Sequence, residues 1–566
     1  MLYTFTVEYF LMNKIIVFLA AKRYVLVLTL IALFALSLRL YKLAAIPDGF
    51  FCDEAAAGYD AFSIIKTGYD THAKFLPFYT QRFDLSYMEA MYTYLTAPFI
   101  FLFGLNIFAV RLSAAIIGTL TTITTYFFAK KLFNKNIGIV AAFLLAVSPW
   151  HLPITRWGHE ASLVPFFTTL GLFLLLKSFH SAKWAIPAAI TFGLSLYAYP
   201  VMKVFIPLAI IIVSLFYLKQ IAALLKSERN AAGFFLAAGL IFLLISLPPY
   251  ELFLSGQGSR RFNSISVFNS AHPLSQFFIN FLAHLSPNFI FVNGDYNLRH
   301  GIPGFGKIMI FLSPFIIYSF YLVFTRRDWG PTGLRPWYLY YIRPRGATSR
   351  PALTPRLPAG VFPLRDKNII LLAILFLAGL IPASLTNDKI PHALRAITGV
   401  PFVEIIAAAG VFYLLKNIRN IAIKIVMITL ILANILFFLH AYFVIYPPVS
   451  QDWFSYGWKE AIEYARDNSQ RYDRVVLLSS RYAYVYVLFF AKINPGQFRK
   501  TAKMDKYVVY DKAEDECYRH DGRTLFVVDY YESINENRKY IISKLKYRVK
   551  KFIYNQRKQI VFAITE

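Results

Sequence analysis

A series of apolar runs, most of them close to bilayer length, constrains this chain more than any other feature. A spanning helix takes about 20 mostly apolar residues. Such runs fall at about 24–43, 107–129, 137–149, 162–178, 184–199, 201–218, 232–250, 306–325, 368–385, 400–415 and 424–446, which predicts 11 crossings. In a chain of 566 residues, 57% hydrophobic and 16% charged, the pattern excludes a soluble enzyme of ordinary composition and a disordered chain. The first run lacks a small-residue cleavage site and leads into further spans, so it reads as an anchor rather than a signal peptide. With two cysteines, Cys52 and Cys517, a disulfide scaffold is excluded and two unpaired thiols are expected.

The formal net charge is +28, from 59 Lys and Arg against 31 Asp and Glu. Its distribution orients the chain. Lys14, Lys22 and Arg23 precede the first run, and Lys130, Lys131 and Lys135 follow the second. Further basic clusters stand at Lys177/Lys183, Lys219/Lys226/Arg229, Arg326/Arg327 and Lys416/Arg419/Lys424. Basic loops stay cytoplasmic, so the N-terminus is predicted inside, in a plasma (inner) membrane. Keeping this order requires Met88–Phe103 to lie in the outer interface rather than to cross. The excess charge is thus an orientation signal and not a nucleic-acid footprint.

The predicted organisation is a transmembrane domain over 1–446 and a small extracytoplasmic α/β domain over 447–566. The membrane domain has outside loops at 44–106 and 251–305. Its inside loop, 326–367, carries nine Arg or Lys against Asp328 and Asp366 and suits a polybasic segment on anionic lipid. In the tail, Arg474–Ser479, Ala483–Phe490 and Thr524–Asp529 read as strands, and Trp458–Asn468 as a helix.

Four outside loops carry the residue types that do chemistry. The first holds the tandem carboxylates Asp53 and Glu54, then Asp70 and His72. Asp53 also suits the N-cap of a helix over Glu54–Lys66. The second loop carries His151, Arg156, His159 and Glu160; the third carries Asn293-Gly-Asp295 and Arg299-His300; the fourth carries Pro391-His392-Ala-Leu-Arg395. Each loop alone has a plain structural reading, but all four converge on one membrane face.

No phosphate-binding glycine loop of the nucleotide-binding kinds is present. A lipid-linked donor fits better: a polyprenyl-phosphate sugar keeps its phosphate at headgroup level, where Arg binds it as a leaving group. A carboxylate then takes the proton of an acceptor hydroxyl as it attacks the anomeric carbon. No His/Cys group has zinc-ligand spacing in sequence. A divalent ion near Asp53 and Glu160 is compatible with the pattern but not implied by it.

At these residues the chain resembles the GT-C integral-membrane glycosyltransferases, in the protein mannosyltransferase-like group (glycosyltransferase family 39). The resemblance rests on Asp53-Glu54, on Gly68-Tyr-Asp70-Thr-His72-Ala-Lys-Phe-Leu-Pro77 and on Tyr94-Leu-Thr-Ala-Pro98. It continues through Phe103-Gly104, Val110-Arg111-Leu, Gly118, Ser148-Pro-Trp-His151, Asn293-Gly-Asp295 and Pro391-His392-Ala-Leu-Arg395. It implies a polytopic α-helical GT-C fold of about 11 transmembrane helices, with interfacial helices in the first outside loop. It also implies a catalytic acidic residue, the general base, at Asp53, with Glu160 nearest to a second acidic position.

The expected catalytic set is Asp53, Glu54 and Glu160. The expected donor-phosphate set is Asp70, His72, Arg156, Arg299, His300, His392 and Arg395. The implied partners are a polyprenyl-phosphate sugar donor, membrane lipids and an acceptor that is protein, lipid or glycan. Relatives often carry Glu-Lys-Pro or Lys-Pro-Pro before the interfacial helix, whereas this chain reads Asp84-Leu-Ser-Tyr-Met-Glu89-Ala. Two alternatives stand beside the transferase. One is a polymerase or ligase of lipid-linked glycans. The other is a lipid or sugar transporter, which would favour a two-half repeat that is not visible.

Overall fold

A computed structural model describes residues 22–81, 87–325, 363–479, 482–510, 523–530 and 549–565. Most of the basic loop 326–367, the 82–86 stretch and Cys517 lie outside the described residues.

A helix stands at each of the eleven predicted spans, and the lengths sort them. Among the described residues, seven helices are long and apolar enough to cross a membrane: Lys22–Leu40 (α1), Ile107–Leu132, Glu160–Ser178, Ala231–Leu254, Lys367–Ser384, Ile397–Asn417 and Ile421–Ser450. The Met202–Phe216 helix joins Leu218–Ser227 at a 73° bend and makes an eighth if the two form one span. Lys135–Ala146, Ala185–Ser195 and Ser313–Thr325 are apolar but have only 12, 11 and 13 residues. At 1.5 Å per residue they reach about 20 Å or less, short of the ~30 Å hydrocarbon core.

Burial follows the expected solvent. Ile107–Leu132 is 78% buried and Ile397–Asn417 is 83% buried, so both are central. Lys22–Leu40 and Ala231–Leu254 are each 17% buried and turn Leu, Val and Phe side chains outward, as lipid-facing helices do. The core is knit by small residues: Gly171 meets Phe192, and Gly410 approaches the Phe315 backbone too closely for any Cβ.

The loop after α1 folds into helix α2 (Cys52–Thr67), which ends at Gly68 in the left-handed conformation (φ 76°). A hairpin follows, with Tyr79–Gln81 (β1) antiparallel to Tyr87–Glu89 (β2). Helix α3 (Met91–Phe103) comes next and packs on α2. Its 13 residues are too short to cross, and Phe101, Leu102 and Phe103 are exposed at its end.

The tail folds into a five-stranded mixed sheet in the order β4-β3-β5-β7-β6. Arg474–Leu478 (β3) runs parallel to Tyr507–Tyr510 (β4) and to Thr524–Asp529 (β5). Ile560–Thr565 (β7) is antiparallel to β5 and to Val549–Tyr554 (β6). Ala483–Phe490, expected as a strand, is an α-helix. Its sequence is apolar on every side, so alternation could not distinguish the two. It is buried all round because it is sandwiched between the tail's helix Trp458–Asp467 and α2.

Candidate active site

Helix α2 starts one residue pair earlier than the sequence suggested. Phe51 is its N-cap, in extended backbone, and the Phe51 N–H is taken by Glu54 Oε2 at 3.0 Å. Glu54 at the third helical position, and not Asp53, therefore closes the helix start, as in the returning half of a capping box.

Glu54 is consumed by structure. Its Oε1 accepts from Arg111 Nε (2.8 Å) and from the Gly158 N–H (2.8 Å), and its Oε2 accepts from Arg111 Nη2 (3.1 Å) as well as from Phe51. Arg111 spends its remaining donors on the carbonyls of Leu43 (3.2 Å), Pro47 (2.8 Å) and Gly49 (2.6 Å). Both side chains are wholly withdrawn from solvent. One guanidinium thus ties the second span to the entry loop and to the first turn of α2. Arg111 was not among the expected site residues, though an arginine inside an apolar run is a signal in itself.

Arg156, expected on the donor phosphate, gives both its terminal nitrogens to backbone carbonyls, while its buried Nε has no hydrogen-bond partner among the described residues. It donates to the carbonyls of Leu38, Arg39 (2.7 Å), Tyr41 (2.6 Å) and Ile46 (3.2 Å), and lies over the Phe443 ring. It closes the C-terminal carbonyls of α1, where a cation is favourable. Glu160 sits buried beside His159 (Nδ1–Oε2 3.5 Å), two residues beyond the Gly158 that binds Glu54.

Asp53 is buried on the first turn of α2. Two turns along the same helix face stands Asp60, a residue the sequence did not single out. Asp60 accepts from the Thr71 N–H (2.9 Å) and hydroxyl, and burial, with Asp70 adding to it, raises its carboxyl to about 7. Asp70 holds its own turn, taking the His72 N–H (2.9 Å) and Lys74 N–H (2.8 Å) on Oδ1; burial pushes its carboxyl up. The His72 imidazole is pushed down by burial and, with Asp60, Gln81 and Tyr484, lines a small cavity between α2 and the Ala483–Phe490 helix. Asp70 and His72 therefore belong with Asp60. Nearby, Glu89 meets Lys203 at 2.5 Å, so a lysine from another helix reaches the acidic residue of the departed motif.

The third and fourth of the loops expected outside meet each other. Asp295 Oδ2 accepts from His300 Nδ1 (2.7 Å) and the Ala393 N–H (2.8 Å), while Oδ1 takes the Asn297 N–H (2.8 Å). The His300 and His392 rings stack with centroids 4.7 Å apart. Burial alone would raise Asp295, but His300, Lys307 and the Ala393 N–H more than offset it and hold it at about 2. Burial lowers both imidazoles, and Lys307 falls to about 8 for the same reason. Among the described residues this is the one group of three or more candidate metal ligands whose atoms lie within 4.8 Å of one another; Asp53 and Glu160 are not part of it.

Two of the predicted phosphate ligands differ in availability. Arg395 is held by Asp388 (Nη2–Oδ2 3.0 Å) and Thr386 (3.0 Å). Arg299 instead lies over the Phe51 ring (4.2 Å) at the N-terminus of α2, with Trp453 beyond. Of the expected donor-binding arginines, Arg299 is the one the fold brings to the Asp53 end of α2.

These features define a polytopic membrane protein in which the loop after α1 buries its carboxylates against one arginine, loop N–H groups and a hydroxyl. The apo ArnT of Cupriavidus metallidurans, 11% identical, matches over 96% of this chain and 98% of that one with a TM-score of 0.51. The chain thus carries the GT-C membrane-glycosyltransferase fold. Residues 90–250 match the family described as dolichyl-phosphate-mannose-protein mannosyltransferase. YkcB of Bacillus subtilis (strain 168), a candidate mannosyltransferase by its name, is 26% identical over 147 residues; that is 25% of this chain and 20% of YkcB.

Proposed function

We propose that this chain is a membrane glycosyltransferase that moves a sugar from a polyprenyl-phosphate donor to an acceptor hydroxyl on the outer membrane face, with Asp53 as the general base. The observation that carries the assignment is the saturation of Glu54. Its accepting positions are filled by Arg111, Phe51 and Gly158, so it is a positioning residue rather than a proton acceptor. Asp53, buried beside it on the first turn of α2, is the member of the pair assigned to the substrate, and the fold similarity and the mannosyltransferase segment support the reaction class.

In this reading the acceptor oxygen attacks the anomeric carbon as its proton passes to Asp53. The bond to the phosphate oxygen breaks, and Arg299 over Phe51 stabilises the departing phosphate charge. The N-terminus is cytoplasmic and the tail domain extracytoplasmic. The test is Asp53→Asn in a lipid-phosphate-sugar transfer assay. Transfer should fall at least a hundredfold while membrane insertion and thermal stability persist; full activity would refute the assignment.

A further inference from the structure

We propose that Asp295, His300 and His392 form a binding site for a zinc-class divalent ion that staples the third outside loop to the fourth. One ligand atom from each lies within 4.8 Å of the others, and all three residues are buried. Asp53 is not among its ligands, and the site does not depend on the transferase reading.

The surroundings are built as the outer shell of a metal site is built. Asp295 Oδ2 and His300 Nδ1 face each other at 2.7 Å, so an ion held by both takes the place of the proton they share, while the Ala393 N–H on Oδ2 and the Asn297 N–H on Oδ1 orient the carboxylate from outside. His284 donates from Nδ1 to the Asn280 carbonyl (2.7 Å), which leaves its Nε2 to accept the His392 N–H (3.0 Å). The loop carrying His392 is therefore anchored by a third histidine that does not itself join the group.

The ligand set chooses the ion. Two imidazoles and a carboxylate suit Zn²⁺ or Co²⁺, whereas Mg²⁺ and Ca²⁺ prefer all-oxygen shells. Three protein ligands leave a fourth position open. Lys307, whose ammonium donates to the His300 carbonyl, and the nearby Arg299 and Arg395 oppose an added positive charge. The ion is therefore held less tightly than in a closed four-ligand structural site. Because Arg299 adjoins His300 in sequence and lies over Phe51, the staple also fixes the Arg299 backbone beside α2.

The test uses the full chain in detergent, prepared without an oligohistidine tag and stripped with a chelator. Titration with Co²⁺ should give a saturable visible absorption at about one ion per chain. Asp295→Asn, which keeps the side-chain shape, and His392→Gln should each weaken binding at least tenfold, and Asp53→Asn should leave it unchanged. X-ray absorption at the cobalt edge of the unaltered protein should show imidazole in the first shell, a readout independent of whether either variant folds. No saturable absorption, a shell without imidazole, or equal binding by well-folded variants would overturn the proposal.

Discussion

Glu54 and Arg111 face each other through two hydrogen bonds, at 2.8 Å and 3.1 Å, with neither side chain reaching solvent. Removing one partner of a buried pair strands the other, at a cost of about 3–5 kcal/mol. Glu54→Gln and Arg111→Met should each lower the apparent melting temperature markedly and reduce transfer together with it. The double variant should be less unstable than the two losses added, because the second substitution removes the stranded charge. Thermal unfolding in micelles reads both; unchanged melting in Glu54→Gln would show that the pair does not hold α2.

Asp60 makes a prediction about pH. Its folded carboxyl, at about 7, lies above the unfolded value of 3.8. Between those values the folded state keeps a proton that the unfolded chain has released, so stability falls as pH rises from about 4 to about 7 and then levels off. Asp60→Asn removes the ionisation, and the difference in stability between variant and parent should grow across this window in favour of Asn. The shift corresponds to a change on the order of 4 kcal/mol. Melting curves of both proteins at a series of pH values check it; parallel pH profiles would place the Asp60 titration elsewhere.

The positions of the apolar helices were legible because each apolar run must satisfy its backbone within itself, whereas the number of crossings was not, since three of the eleven runs form helices of only 12, 11 and 13 residues. That the first-loop acidic pair stands out was legible because carboxylates beside a span are costly unless paired or used; both are buried in the fold. The division of labour within the pair was not, since it depends on Arg111 and Gly158 reaching α2 from other segments. Arg156 misled for the same reason: its carbonyl partners lie more than a hundred residues away in sequence. The Asp295–His300–His392 group escaped a search for metal spacing because its ligands come from two loops that only the fold brings together. The Ala483–Phe490 helix escaped because a segment buried on all sides carries no periodic pattern.

Gly58 sits where α2 passes between the second span and the tail. A Cβ there would come within 2.6 Å of Val110 Cγ2 and 2.7 Å of the Phe489 ring. The tail is also tied to α2 through the Tyr59 hydroxyl on the Ile493 carbonyl at 2.9 Å. Gly58→Ala should therefore push the Ala483–Phe490 helix off α2, at a cost of about 1–3 kcal/mol for overpacking. Protease cleavage within the tail should accelerate. If Gly58→Ala melts and digests like the parent, the tail does not bear on α2.

Arg299 and Arg395 separate donor binding from loop architecture. Arg395 is committed to Asp388 and Thr386, and Asp388 is shared with Arg261 at 3.0 Å. Burial would raise the Asp388 carboxyl, but Arg395 outweighs it and holds it below its ordinary range. Arg395→Ala should therefore loosen this loop and lower thermal stability, with the donor KM moving only as the folded fraction falls. Arg299 is placed mainly by stacking on Phe51 and by an Asn297 contact at 3.3 Å, so little structure depends on its charge. Arg299→Ala should raise the donor KM about tenfold, the loss of one charge-assisted contact to phosphate, while melting changes little. Arg299→Lys should recover part of the affinity but not the stacking. Donor saturation curves for the three variants decide the matter, and an unchanged KM in Arg299→Ala would remove Arg299 from the donor site.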